Sequence, residues 1–143
     1  MKKVLVAIDG SAFALRAVEN LIAMRALLAD PDALEVHLVH VEPQLNSDIT
    51  RFVAAEELAD YRHEQAGKAF GAARDLLAAA GVPCTCHEAV GHVAEAVTQL
   101  AERLGCDQIT MGSHGRGALA DLLMGSTTLK VIHLAKVPVL LVK

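Results

Sequence analysis

Apolar residues recur along this chain in two alternating rhythms. Short β-branched runs are separated by longer stretches whose apolar positions fall at helical spacing, the order expected of βαβ units and a parallel sheet. The run "KVLVAI" (3–8) predicts a buried strand, with Asp9, Gly10 and Ser11 as its turn. Ser11 is suited to cap a helix over 12–29, on which Leu15, Val18, Leu21, Ile22, Arg25 and Leu28 share helical spacing, until "ADPDA" breaks it. "LEVHLVHV" (34–41) predicts a second strand ending at Glu42-Pro43, and a polar loop to about Asp48 follows.

From Phe52 through Ala55, Leu58, Ala66, Phe70, Ala73 and Leu77 one apolar face predicts a long helix, stopped by Gly81-Val82-Pro83. Gly67 and Gly71 would each weaken it by about 1 kcal/mol relative to alanine, so close packing against a neighbour is expected there. "VPCTCHEAV" (82–90) predicts a third strand, "HVAEAVTQLAERLG" a helix closed by Gly105, and "CDQITMG" (106–112) a fourth strand. A short helix over Thr127–Ala135 and the strand "VPVLLV" (137–142) complete the chain. The expected architecture is a single α/β domain over 1–143, a five-stranded, doubly wound parallel sheet with helices on both faces. Right-handed crossovers allow the flavodoxin-like order 3-2-1-4-5, which puts a switch point between the first and fourth strands.

Composition narrows the function. Apolar residues make up 53% of the 143 positions, yet no apolar run approaches the roughly twenty residues of a membrane span. Asp9 cuts the first apolar run short of a signal-peptide core, so a cytoplasmic location is expected. Three cysteines cannot all pair within one chain, and a reducing compartment fits them. A net charge of −4 and no tryptophan argue against a nucleic-acid surface. From Gly112 onward, however, Arg116, Lys130, Lys136 and Lys143 face only Asp121, a balance that tolerates an anion.

Ligands of open α/β sheets bind beyond the carboxyl ends of the strands at the switch point. Two turns meet there, "IDGS" and "MGSHGRG". Glycine lets backbone N–H groups approach an anion closely, and Ser126 with the amides after it starts a helix whose dipole favours phosphate.

These residues resemble the universal stress proteins, specifically the branch that binds ATP. Gly112-Ser113-His114-Gly115, nine residues, then Gly125-Ser126 matches that branch's signature G-x-x-G, nine, G-[S/T] at every fixed position. "VLVAIDGS", "VHLVHVE", "CDQITMGSHGRGAL" and "LLMGSTTLKVIHLAKVPVLLVK" look like the family's corresponding segments, so the resemblance spans the whole chain. It implies ATP as ligand, with Mg2+ or Mn2+ bridging the phosphates. Asp9 would hold the ribose or adenine side with Ala7 close by, the Val41 backbone would meet the adenine edge, and Met111 would pack near it. Gly112, Gly115, Gly125, Ser126 and Thr127 would bind the phosphates and ribose, with Thr128 and Ser113 beside them. From the residues themselves, His114 could donate to a phosphate or stand solvated in its loop, and Arg116 could pair with phosphate or face water. The family dimerises through its last strand, which makes Val137–Val142, an apolar sheet edge, the expected homodimer seam.

Other signals carry less. Gly115–Ala120 satisfies G-x-G-x-x-A, but about twenty residues on stands Lys136 rather than the acid a dinucleotide site needs, and no P-loop sequence occurs. Cys84, Cys86 and His87 suggest a metal, yet on a strand the cysteines share one face and His87 takes the other, so they read as an apolar filler and a surface histidine. No catalytic group is expected. The expected function is a nucleotide-binding regulatory module. The alternatives are a slow ATPase or self-phosphorylating protein using Ser113, Ser126 or Thr127, and a structural dimer with an empty crevice.

Overall fold

Alternation along the central strand sets the layers. β1 (Lys3–Ala7) sends Val4 and Val6, followed by Ile8, to one face and Leu5 with Ala7 to the other, and both faces are covered. The computed structural model describes residues 1–44, 46–114 and 124–143. Following β1 are α1 (Ala12–Arg25), β2 (Glu35–Glu42), α2 (Ser47–Thr50), α3 (Ala55–Ala79), β3 (Cys84–Val90), α4 (Val93–Leu104), β4 (Gln108–Gly112), α5 (Ser126–Leu134) and β5 (Val139–Val142). The strands form one parallel sheet in the order β3-β2-β1-β4-β5, as expected.

On one face α1 and α3 bury Ala14, Val18, Leu21, Phe70, Ala73 and Leu77 against Val4, Val6, Val36 and Leu38. On the other, α4 and α5 bury Val97, Leu100, Ala101 and Val131 against Leu5, Val39, Ile109 and Met111. The central pair is also tied at its lower end. Asp107 Oδ2 accepts the backbone N–H groups of Lys2 and Lys3 at 2.7 and 2.9 Å, which holds its carboxyl below the usual range. Its own N–H donates to the Lys3 carbonyl at 2.8 Å. No described helix is long and apolar enough to cross a membrane.

Several expectations are corrected. α1 ends at Arg25 rather than 29, because Leu27 and Leu28 fold back onto the carbonyls of Met24 and Arg25 in tighter three-residue turns. The polar loop contains α2, capped by Asn46, whose side chain accepts the Asp48 N–H at 3.2 Å. Phe52 continues the apolar spacing of α3 but precedes it, 88% exposed. β3, β4 and β5 each start two residues later than expected. A Cβ at Gly67 or Gly71 would meet nothing within 4 Å, so no close neighbour explains these glycines. His87 is half-buried rather than a surface histidine, with its Nε2 2.9 Å from His37 Nδ1. Desolvation and then the nearby His37 keep its imidazole below the usual histidine range. Where Gly81 ends α3, Val82 N–H reaches the Leu77 carbonyl at 2.8 Å with Gly81 at φ +68°, the expected stop.

Candidate functional site

A crevice opens beyond the carboxyl ends of β1, β2 and β4, at the point where the chain's winding direction reverses. One wall starts at the β1 turn. Asp9 Oδ1 accepts the Ser11 N–H at 2.9 Å, Gly10 turns at φ +82°, and Ser11 Oγ accepts the Ala14 N–H to cap α1. The Asp9 carboxylate is thereby held at the strand's end by its own loop.

The opposite wall is stitched from β4 to α5. Ser113 donates its N–H to the Val142 carbonyl at 2.8 Å, and its own carbonyl accepts from Gly125 N–H at 3.0 Å and from Thr128 Oγ1 at 3.2 Å. These contacts set the start of α5 beside the end of β4. Gly125 is the extended residue before the helix, and the amides of Ser126, Thr127 and Thr128 are first-turn donors with no acceptor inside the helix. With the positive end of the helix dipole, they make a region suited to an anion. From α5, Lys130 reaches Glu95 on α4 at 2.6 Å and holds that carboxyl below its usual range, so the two helices are tied across the back of the site.

The cavity between the walls measures about 480 Å3, within the roughly 300–1,000 Å3 of small-molecule sites. Of the residues expected from sequence, Ala7, Asp9, Val41, Met111, Gly112, His114, Thr127 and Thr128 line it together. Ser113, Gly125 and Ser126 do not. Ser113 is buried behind the strand end with its Oγ 3.0 Å from His114 Nδ1, and Gly125 acts through its backbone. Gly115 and Arg116 lie outside the described residues.

Several lining residues escaped sequence reasoning, chiefly His40, Glu42, Tyr61 and Gln65. His40 Nδ1 lies 2.9 Å from the Ile8 carbonyl, which can only accept, so that nitrogen carries a proton. Its Nε2 meets Glu42 Oε1 at 2.7 Å, and Phe70 packs edge-on at 6.1 Å. The signal was present in "VHVE", where polar residues alternate through a strand otherwise read as buried. Tyr61, the chain's one tyrosine, sits at the mouth on α3, half exposed at 47%.

The cavity is electrostatically lopsided. Asp9 and Glu42 stand toward the β1–β2 end, no Lys or Arg among the described residues lines it, and backbone donors gather at α5. Among the described residues no group of three or more His, Cys, Asp or Glu side chains is placed to hold a metal.

The profile of the universal stress protein family matches residues 1–143. A universal stress protein of Synechocystis, Slr1230, is 34% identical over 96% of this chain, which spans 41% of that relative's length. The solved structure of protein MJ0577 of Methanocaldococcus jannaschii superposes with a TM-score of 0.81 at 33% identity, over 99% of this chain and 95% of that one. A universal stress protein crystallised in complex with cAMP is similar at 27% identity and a TM-score of 0.69, covering 99% and 97% of the two chains. Sheet order, the site at the switch point and the end-to-end match agree: this chain belongs to the universal stress protein family.

Proposed function

We propose that this protein is an adenine-nucleotide-binding regulatory module that takes ATP in the crevice and works as a homodimer. The observation that carries the reading is the convergence, on one cavity, of Asp9 and Val41 from one side with Gly112, Thr127 and Thr128 from the other. The lopsided charge supports one orientation. Ribose hydroxyls suit the Asp9 carboxylate, the adenine edge suits the Val41 backbone, and the phosphates suit the free amides opening α5. The similar universal stress protein crystallised in complex with cAMP, an adenine nucleotide, supports the reading. Among the described residues the donor set does not by itself build a cation site, so Mg2+ or Mn2+ belongs to the proposal as a companion carried by the phosphates.

Isothermal titration of the full chain with ATP and Mg2+ tests the reading. Saturable binding is expected. Asp9→Asn, which keeps an oxygen for the Ser11 N–H, weakens it about tenfold by losing a charge-assisted contact. Absence of heat at ATP concentrations well above cellular levels would overturn the proposal.

A second reading, slow hydrolysis or self-phosphorylation, draws on the hydroxyl of Ser113 beside His114, a pairing that can activate an oxygen nucleophile. Ser113 is buried and does not line the cavity, which favours binding over turnover. Phosphate release from ATP that disappears in Ser113→Ala protein would reverse that ranking.

A further inference from the structure

Cys84 and Cys86 lie two residues apart on β3, the edge strand, so both side chains take the same face. They pack at the margin of the α1–α3 layer and are only half-buried, whereas Cys106 is buried on the other side of the sheet. From the exposed side of α3, Arg74 donates its Nε–H to Cys86 Sγ at 3.3 Å while its guanidinium carbon lies 5.3 Å from the centre of the Phe70 ring. An open groove of about 770 Å3, whose lining includes Arg74, Gly81, Pro83, Cys84 and Cys86, runs along this edge.

A guanidinium N–H aimed at sulfur stabilises negative charge there, and a thiol is a nucleophile in proportion to that charge. Across the ladder β2 offers Val36 and Leu38 at the matching positions, and from α3 the charged neighbour is Arg74 itself. On β3, Glu88, two residues beyond Cys86 and so on the same face, is a carboxylate that opposes negative charge on the sulfur and favours the charged guanidinium, whose proton is held chiefly by the bond to Cys86. The other two thiols are handicapped. Burial first, and then Cys86, pushes the Cys84 thiol up, and burial pushes up Cys106.

We propose that Cys86 is a reactive thiol that hydroperoxides oxidise to a sulfenic acid, with Arg74 as its positioning residue. The sulfur attacks the terminal peroxide oxygen, so that an S–O bond forms as the O–O bond breaks. Sulfur is oxidised by two electrons, the peroxide is reduced to an alcohol or water, and the thiol proton leaves with the departing oxygen. Strand rise sets the Cα atoms of Cys84 and Cys86 about 6.6 Å apart, within the upper end of the range a disulfide spans, and the product proposed is the sulfenic acid rather than that disulfide.

The test treats reduced full-length protein with one equivalent of hydrogen peroxide in the presence of dimedone and locates the adduct by peptide mass spectrometry. The adduct is expected on Cys86 with about tenfold preference over Cys84 and Cys106. In a parallel assay, Arg74→Gln slows iodoacetamide alkylation of Cys86 about tenfold, and Arg74→Lys, which keeps the charge, recovers part of the rate. Equal labelling of the three thiols in the native wild-type chain overturns the proposal without any variant. So does a Cys84–Cys86 disulfide in place of the adduct, or an unchanged Cys86 rate in folded Arg74→Gln protein.

Discussion

A Cβ built on Gly112 would lie 2.6 Å from the Cβ of Phe13, 2.8 Å from its carbonyl carbon and 3.0 Å from its carbonyl oxygen. This position therefore needs glycine for the approach of α1, whatever the crevice holds. Gly112→Ala is expected to cost about 1–3 kcal/mol in urea unfolding. The double variant with Phe13→Ala should recover little, because alanine keeps all three clashing atoms, the Cβ and the two backbone atoms. Sequence reasoning singled out Gly112 as part of a phosphate turn and missed this reason, since Phe13 is remote along the chain. Gly125 shows the converse: a Cβ there meets ordinary contacts near 3.7 Å, and its backbone is extended, so steric need does not account for that glycine. His87 supplies a second test. Its folded imidazole titrates below the ordinary value of 6.5, so the unfolded chain binds the proton more readily. Its contribution to stability is full above about pH 6.5 and is lost as pH falls through the lower folded value. Unfolding midpoints measured between pH 8 and pH 5 should decline less steeply in His87→Gln than in wild type.

At the scale of elements, α3 carries two glycines with open space around them. Gly67→Ala and Gly71→Ala should each raise stability by about 1 kcal/mol in chemical denaturation, the helix-propensity difference with no steric offset. A loss in either variant would expose a contact that the monomer does not contain. The same helix shows what periodicity can and cannot convey. The spacing of Ala66, Phe70, Ala73 and Leu77 read correctly as a buried stripe, and all four are buried. Periodicity carries no marker for where a helix begins, however, which is how Phe52 was drawn in. Stops were legible where chemistry enforces them, as at Gly81 and Gly105 with φ +68° and +66°. α2 was missed because four residues are too few to establish a period.

For the whole molecule, strand order followed from the alternation of elements and the handedness of crossovers, and the position of the crevice followed from that order. Its two walls were legible as glycine and hydroxyl turns, whereas the α3 contribution, Tyr61 and Gln65, depends on packing between distant segments. The proposed homodimer also belongs to this scale. β5 is an edge strand with half-buried side chains, and light scattering at micromolar concentration should give twice the 15.1 kDa chain mass. Leu140→Lys, a charge on that edge, should shift the population toward monomer, and a wild-type monomer would remove the dimer from the functional reading. The pairing of β1 with both β2 and β4 has a further consequence for how the chain comes into being. The first strand can join β2 as soon as the early segment emerges from a ribosome, but its other side waits for Gln108–Thr110. Until then a row of unpaired backbone groups flanks the central strand, so a nascent chain that stalls late in synthesis leaves that row open to the wrong partner.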